Sequence, residues 1–93
     1  MTFINHLKGY SIKYDTPVFK DIKKLDKKTL QKIEKKLDDL VKGTQGLDIK
    51  KLSGYEKPTY RLRVNTYRII YEVYEEKILV IVISISHRKN AYE

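Results

Sequence analysis

Between Thr59 and Ser86, three segments rich in Tyr, Val and Ile follow one another with breaks too short to carry a crossover. They run Thr59 to Val64, Tyr67 to Tyr74 and Lys77 to Ser86, separated by Asn65-Thr66 and by the Glu75-Glu76 region. Parallel neighbours need a connection of a dozen or more residues, so these strands must form an antiparallel meander. Leu79 to Ile85 is almost entirely apolar, which marks a central strand.

What precedes the meander reads differently. Tyr10 to Tyr14 alternates as a short strand does. Pro17 suits the start of a helix, with Asp15 or Thr16 as the expected cap, and Phe19, Ile22 and Leu25 form an apolar stripe. Asp26 can cap a second helix, whose positions Leu30, Ile33, Leu37, Leu40 and Val41 follow the helical period until Gly43 ends it and Gly46 marks the loop. Two amphipathic helices in a hairpin need a sheet to cover their apolar faces. The expectation is an α+β fold, β-α-α-β-β-β, with the helical hairpin on one face of a small, mainly antiparallel sheet.

Ninety-three residues make a single domain. With 20 Lys and Arg against 12 Asp and Glu the formal charge is +8, so a polyanion, and nucleic acid first, is the expected partner. The absence of cysteine excludes disulfides and thiolate metal sites, and His6 and His87 show no ligand spacing, so no metal or cofactor is expected. The longest mainly apolar run, Ile78 to Ile85, is far short of the ~20 residues that span a bilayer. No secretion signal is legible in the first residues, and the expectation is a cytoplasmic protein without a membrane partner.

The four arginines, Arg61, Arg63, Arg68 and Arg88, all lie in the last third, whereas the sixteen lysines spread from Lys8 to Lys89. If Asn65-Thr66 is a two-residue hairpin loop, Arg63 faces Arg68, Leu62 faces Ile69 and Tyr60 faces Tyr71. One face then carries Tyr60, Leu62, Val64, Tyr67, Ile69 and Tyr71, and the other carries Arg61, Arg63 and Arg68. Like charges directly opposite each other destabilise a sheet. The guanidiniums must therefore bind an anion, for which phosphate is the best match, or spread into solvent and pair with acids such as Glu72. Strand parity leaves two placements for the tail. An even connection between the last two strands puts His87 on the arginine face, whereas a bulge or an odd loop puts Arg88 there.

Four pieces, in order, resemble the signature of RelE/ParE toxins: Lys51-Leu52-Ser53-Gly54, Tyr60-Arg61-Leu62-Arg63-Val64, Tyr67-Arg68-Ile69-Ile70-Tyr71-Glu72-Val73 and His87-Arg88-Lys89-x-x-Tyr92. The resemblance also takes in Phe19 to Leu25. It spans about residues 10–93 and leaves 1–9 as an N-terminal extension of a single 1–93 domain. It implies a toxin of a type II toxin–antitoxin system that is bound and neutralised by a cognate antitoxin in a hetero-oligomer. The C-terminal tyrosine favours the RelE-like branch, ribosome-dependent mRNA endonucleases (mRNA interferases) that cut the messenger in the A site and so inhibit translation. The ParE-like branch instead inhibits DNA gyrase without ribonuclease activity.

The RelE-like reading gives the candidate residues their roles. Arg61 and Arg63 are the basic pair on the second strand of the signature, Arg68 holds the scissile phosphate, Arg88 stabilises transition-state charge and Tyr92 stacks on a base. The implied reaction is attack of the 2′-hydroxyl on phosphorus, leaving a 2′,3′-cyclic phosphate. Arginines supply charge stabilisation but are poor bases. His87 is the candidate proton acceptor and Glu72 a weaker one; failing both, positioning by the ribosome carries the rate. Two departures from relatives stand out: arginines replace the lysine or glutamate of the second strand, and Asn65-Thr66 replaces a Gly-Asp turn.

Overall fold

The computed structural model describes residues 7–87. Its elements are β1 (Ser11–Tyr14), α1 (Val18–Lys23), α2 (Lys27–Val41), β2 (Ile49–Leu52), β3 (Thr59–Val64), β4 (Tyr67–Tyr74) and β5 (Leu79–His87). The strands form one sheet in the order β1-β5-β4-β3-β2, with β1 parallel to β5 and the remaining pairs antiparallel. This is the expected α+β arrangement with one strand more than the sequence suggested.

The extra strand is β2. Ile-Lys-Lys-Leu is too short and too polar to announce itself, and its order comes from pairing with β3, Ile49 opposite Leu62 and Lys50 opposite Arg61. Lysines on such an edge discourage pairing with a further chain.

Both helices lie on one face. Val18 from α1 and Ile33, Leu37 and Leu40 from α2 pack with Leu62, Val64, Ile69, Tyr71, Val73, Val80, Val82 and Ile85 in one core. The helix α2 begins as expected, with the Asp26 carboxylate accepting the Thr29 N–H at 2.7 Å; hydrogen bonding by the Thr29 side chain first, and by this N–H second, holds the Asp26 carboxyl below the usual range. Gly43, at φ +80, takes the left-handed turn that ends it. The α1 details differ from expectation. No side chain caps it, since the carbonyls of Asp15 and Thr16 accept the first N–H groups instead. Phe19 is exposed while Val18 is buried, because inward positions follow the 18-22 spacing of four residues, leaving Phe19 to lean on Tyr14.

Tyr71 is 1% exposed, stacks on Tyr60 at 5.6 Å between ring centroids, and has its phenol pushed well above the usual 10.0 by burial. The folded state thus keeps a proton that the unfolded chain releases at ordinary tyrosine pH. That contribution to stability is complete below the unfolded value and falls as pH climbs through and beyond it. Denaturant titrations across that range should show the alkaline loss reduced in Tyr71→Phe; an identical slope in both proteins would rule the effect out.

The β4–β5 register slips once. Ile70 faces Ser84 whereas Tyr71 faces Val82, so Ile83 is an extra residue on β5. Core positions on β5 are therefore Val80, Val82 and then Ile85. Beyond the bulge β1 has ended, and the Ile85 N–H is taken by the Asp21 carboxylate of α1 at 3.3 Å. Among the described residues no helix is long and apolar enough to cross a membrane.

Candidate functional site

The β3–β4 hairpin builds the site. Asn65, at φ 54, adopts the left-handed conformation that asparagine tolerates, so β3 turns into β4 across Asn65-Thr66. The register is the expected one, with Val64 opposite Tyr67, Arg63 opposite Arg68, Leu62 opposite Ile69 and Arg61 opposite Ile70. Leu62, Val64, Ile69 and Tyr71 face the helices in the core, so Arg61, Arg63 and Arg68 share the face away from the helices. Lys50, opposite Arg61 on β2, joins them. The sequence reading missed Lys50 because it missed its strand.

The three arginines are not equivalent. Arg63 keeps 44% of its side chain exposed, while Arg61 keeps 9%. The Arg61 Nη2 donates to the Asp48 carboxylate at 2.8 Å, and the other Asp48 oxygen lies 3.9 Å from Arg63 Nη1. An acid does relieve the cluster, but it is Asp48, not Glu72. The Glu72 carboxylate accepts the Tyr74 hydroxyl at 3.0 Å. It also stands four residues along β4 from Arg68, roughly 13 Å at strand rise. Nothing local in the sequence ties Asp48 to Arg61, since the contact arises from β2 pairing with β3.

His87 lies on the other side of the sheet. It pairs with Tyr67, meets that ring edge-on at 5.0 Å, and its Nε2 is 3.1 Å from the Thr66 hydroxyl. The bulge at Ile83 decides the parity that the sequence left open, and it moves His87 away from the arginine face. There it borders a cleft of about 270 Å³ lined also by Asp21, Lys24, Leu25, Tyr67, Ile85 and Ser86. Arg88 and Tyr92 lie outside the described residues.

The hollow at the hairpin tip, lined by Arg63, Asn65, Thr66, Tyr67 and Arg68, holds only about 10 Å³. That is room for about one water. Among the described residues, no three His, Asp or Glu side chains gather to hold a metal.

Two helices packed on a mixed five-stranded sheet are an arrangement shared with known proteins. Residues 12–92 match the family described as the ParE toxin of type II toxin–antitoxin system, parDE. The chain belongs to the RelE/ParE toxin superfamily. Among superfamily relatives, the mRNA interferase toxin RelE of Escherichia coli (strain K12) is 29% identical over 84 residues, covering 89% of this chain and 87% of that one. The putative toxin RelE1 of Methanocaldococcus jannaschii is 29% identical over 87 residues, covering 90% and 96%. The fold agrees with the archaeal RelE–RelB complex from Pyrococcus horikoshii OT3 at a TM-score of 0.73, with 26% identity over 88% of this chain and 98% of that chain.

Proposed function

We propose that this RelE/ParE-type toxin is a RelE-like mRNA interferase that cuts messenger RNA on the ribosome. The observation that carries the reading is the opposition of Arg63 and Arg68 on the sheet face away from the helices. Like charges at directly opposed strand positions disfavour each other, and the planar fork of each guanidinium is well matched to a phosphate. The likeness to proteins named RelE supports the branch.

In this reading the messenger backbone lies across the hairpin, with the scissile phosphate on Arg68 and Arg63 beside it. Arg88 meets the added negative charge of the transition state, and Tyr92 stacks on a base, a contact worth about 1–3 kcal/mol. The 2′-hydroxyl gives its proton to water as its oxygen attacks phosphorus, the 5′-oxygen leaves and takes up a proton, and a 2′,3′-cyclic phosphate and a 5′-hydroxyl remain. His87, directed to Thr66 across the sheet, is a poor candidate to take the 2′ proton. The rate is then carried by charge stabilisation and by the ribosome holding the RNA for in-line attack. Neutralisation falls to an antitoxin, as the RelE–RelB complex suggests, through an acidic or apolar segment laid over the basic face or the helices.

Purified protein added to a cell-free translation reaction, followed by mapping of messenger ends, tests this. Cuts within reading frames that vanish when ribosomes are omitted are the expected result. Intact messenger with inhibited DNA supercoiling would replace the reading with gyrase inhibition, the ParE-like activity; intact messenger with unaffected gyrase would leave an inert, antitoxin-binding member.

A further inference from the structure

We infer that Asp48 is a positioning residue of the arginine face, and that Arg61 works through it as an internal strut rather than by touching RNA. The enclosure of Arg61 is the first ground. Its side chain is 9% exposed, and its Nε is buried with no hydrogen-bond partner among the described residues. A guanidinium in that position has little surface to offer a polymer, and among the described residues its short polar contact is the 2.8 Å bond to Asp48 Oδ1.

The second ground is what Asp48 does with its remaining atoms. Its backbone carbonyl accepts the Arg63 N–H at 3.0 Å, which fixes the loop before β2 to β3 at that residue. Its Oδ2 stands 3.9 Å from Arg63 Nη1 while Arg63 stays 44% exposed. One carboxylate thus joins an enclosed arginine to an open one. Arg61 anchors the carboxylate, and the carboxylate restricts the directions the long Arg63 side chain can take. A donor already aimed at the anion needs less reorganisation during reaction, and a displacement of about 1 Å can cost about a hundredfold in rate. Asp48 also offsets one of the four positive charges of Arg61, Arg63, Arg68 and Lys50, easing the opposition of Arg63 and Arg68.

A different role for Asp48 would be competition, a carboxylate occupying donors that phosphate must displace. The two roles predict opposite results. Asp48→Asn, Asp48→Glu, Arg61→Gln and the double variant Asp48→Asn/Arg61→Gln would be compared with wild type in single-turnover cleavage on purified ribosome–messenger complexes. The side-chain Nε–Hε resonance of Arg63, identified by its loss in Arg63→Lys, would be followed by NMR on the protein alone.

Positioning predicts that Asp48→Asn lowers the saturated rate by about a hundredfold with half-saturation little changed. It also predicts that the Arg63 resonance moves to the position of an unconstrained arginine, and that Asp48→Glu recovers part of both. Because Arg61 acts through Asp48, the double variant should be no slower than the slower single variant. Should Asp48→Asn melt below the assay temperature, the double variant, which leaves no unpaired buried charge, still reports on Arg63. An unmoved Arg63 resonance, or a rate that holds or rises in Asp48→Asn, would overturn the positioning role. Multiplicative losses in the double variant would show Arg61 meeting RNA itself. The rate arm rests on the RNA-cutting reading. If wild type cuts nothing, that reading falls, and the resonance arm alone decides whether Asp48 aims Arg63.

Discussion

Arg68→Ala should abolish messenger cleavage and growth inhibition while leaving a folded protein that still binds its antitoxin. Arg68 is opposite Arg63 across the hairpin and lies on the sheet face away from the helices. Removing one pre-aimed donor from a site that stabilises developing charge costs about 10²–10³ in rate, or roughly 3–4 kcal/mol of activation energy. The fold should tolerate the change, since relief of opposed like charges offsets lost contacts by about 0.2–1 kcal/mol. The measurement is the end-mapping assay together with thermal unfolding of the same preparation. Near-normal cutting by Arg68→Ala would remove the phosphate-holding role. Arg68→Lys is the informative companion, because a lysine keeps the charge but loses the planar fork, and it should recover only part of the activity.

The second large effect is on stability. Leu37 lies on the inward stripe of α2, 1% exposed, with Ile33 and Leu40 on the same stripe fully enclosed. Leu37→Ala should destabilise the protein by about 2–5 kcal/mol, a large part of the 5–15 kcal/mol typical of a domain. For a chain of this size each kcal/mol moves the midpoint by roughly 4–8 °C, so a fall of more than about 10 °C is expected. A bound antitoxin would mask part of this by mass action, so the scan must be run on the separated toxin. A shift of only a degree or two would mean that the helix–sheet interface is less tightly packed than the burial of these side chains indicates.

The order of strands and helices was readable because each depends on a local period. The alternation over Thr59 to Val64 and Tyr67 to Tyr74, and the two-residue break between them, fixed the register that sets Arg63 against Arg68. The strand β2 has no such period; it exists because β3 offers it a partner. Asp48 went unread for the same reason, since its contact with Arg61 spans thirteen positions and follows from that pairing. The placement of His87 hung on a single inserted residue. Ile83 is as apolar as its neighbours, and nothing in the sequence distinguishes a bulged isoleucine from a paired one. Charge on the open face was legible, whereas its internal wiring was not.

The parallel pairing of β1 with β5 has a consequence for synthesis. Ser11 to Tyr14 leave the ribosome early, yet their partners Leu79 to Val82 are among the last residues of the fold to be made. Val80, Val82 and Ile85 also complete the surface against which Ile33, Leu37 and Leu40 are buried. A nascent chain can close the β3–β4 hairpin but cannot seal its core until β5 has emerged. Non-local contacts of this kind slow folding and prolong exposure of apolar surface. Folding, and with it any activity that needs the assembled sheet, is therefore deferred until after the coding of β5 has been read. In the proposed reading, that interval is one in which an antitoxin would meet the unfinished toxin.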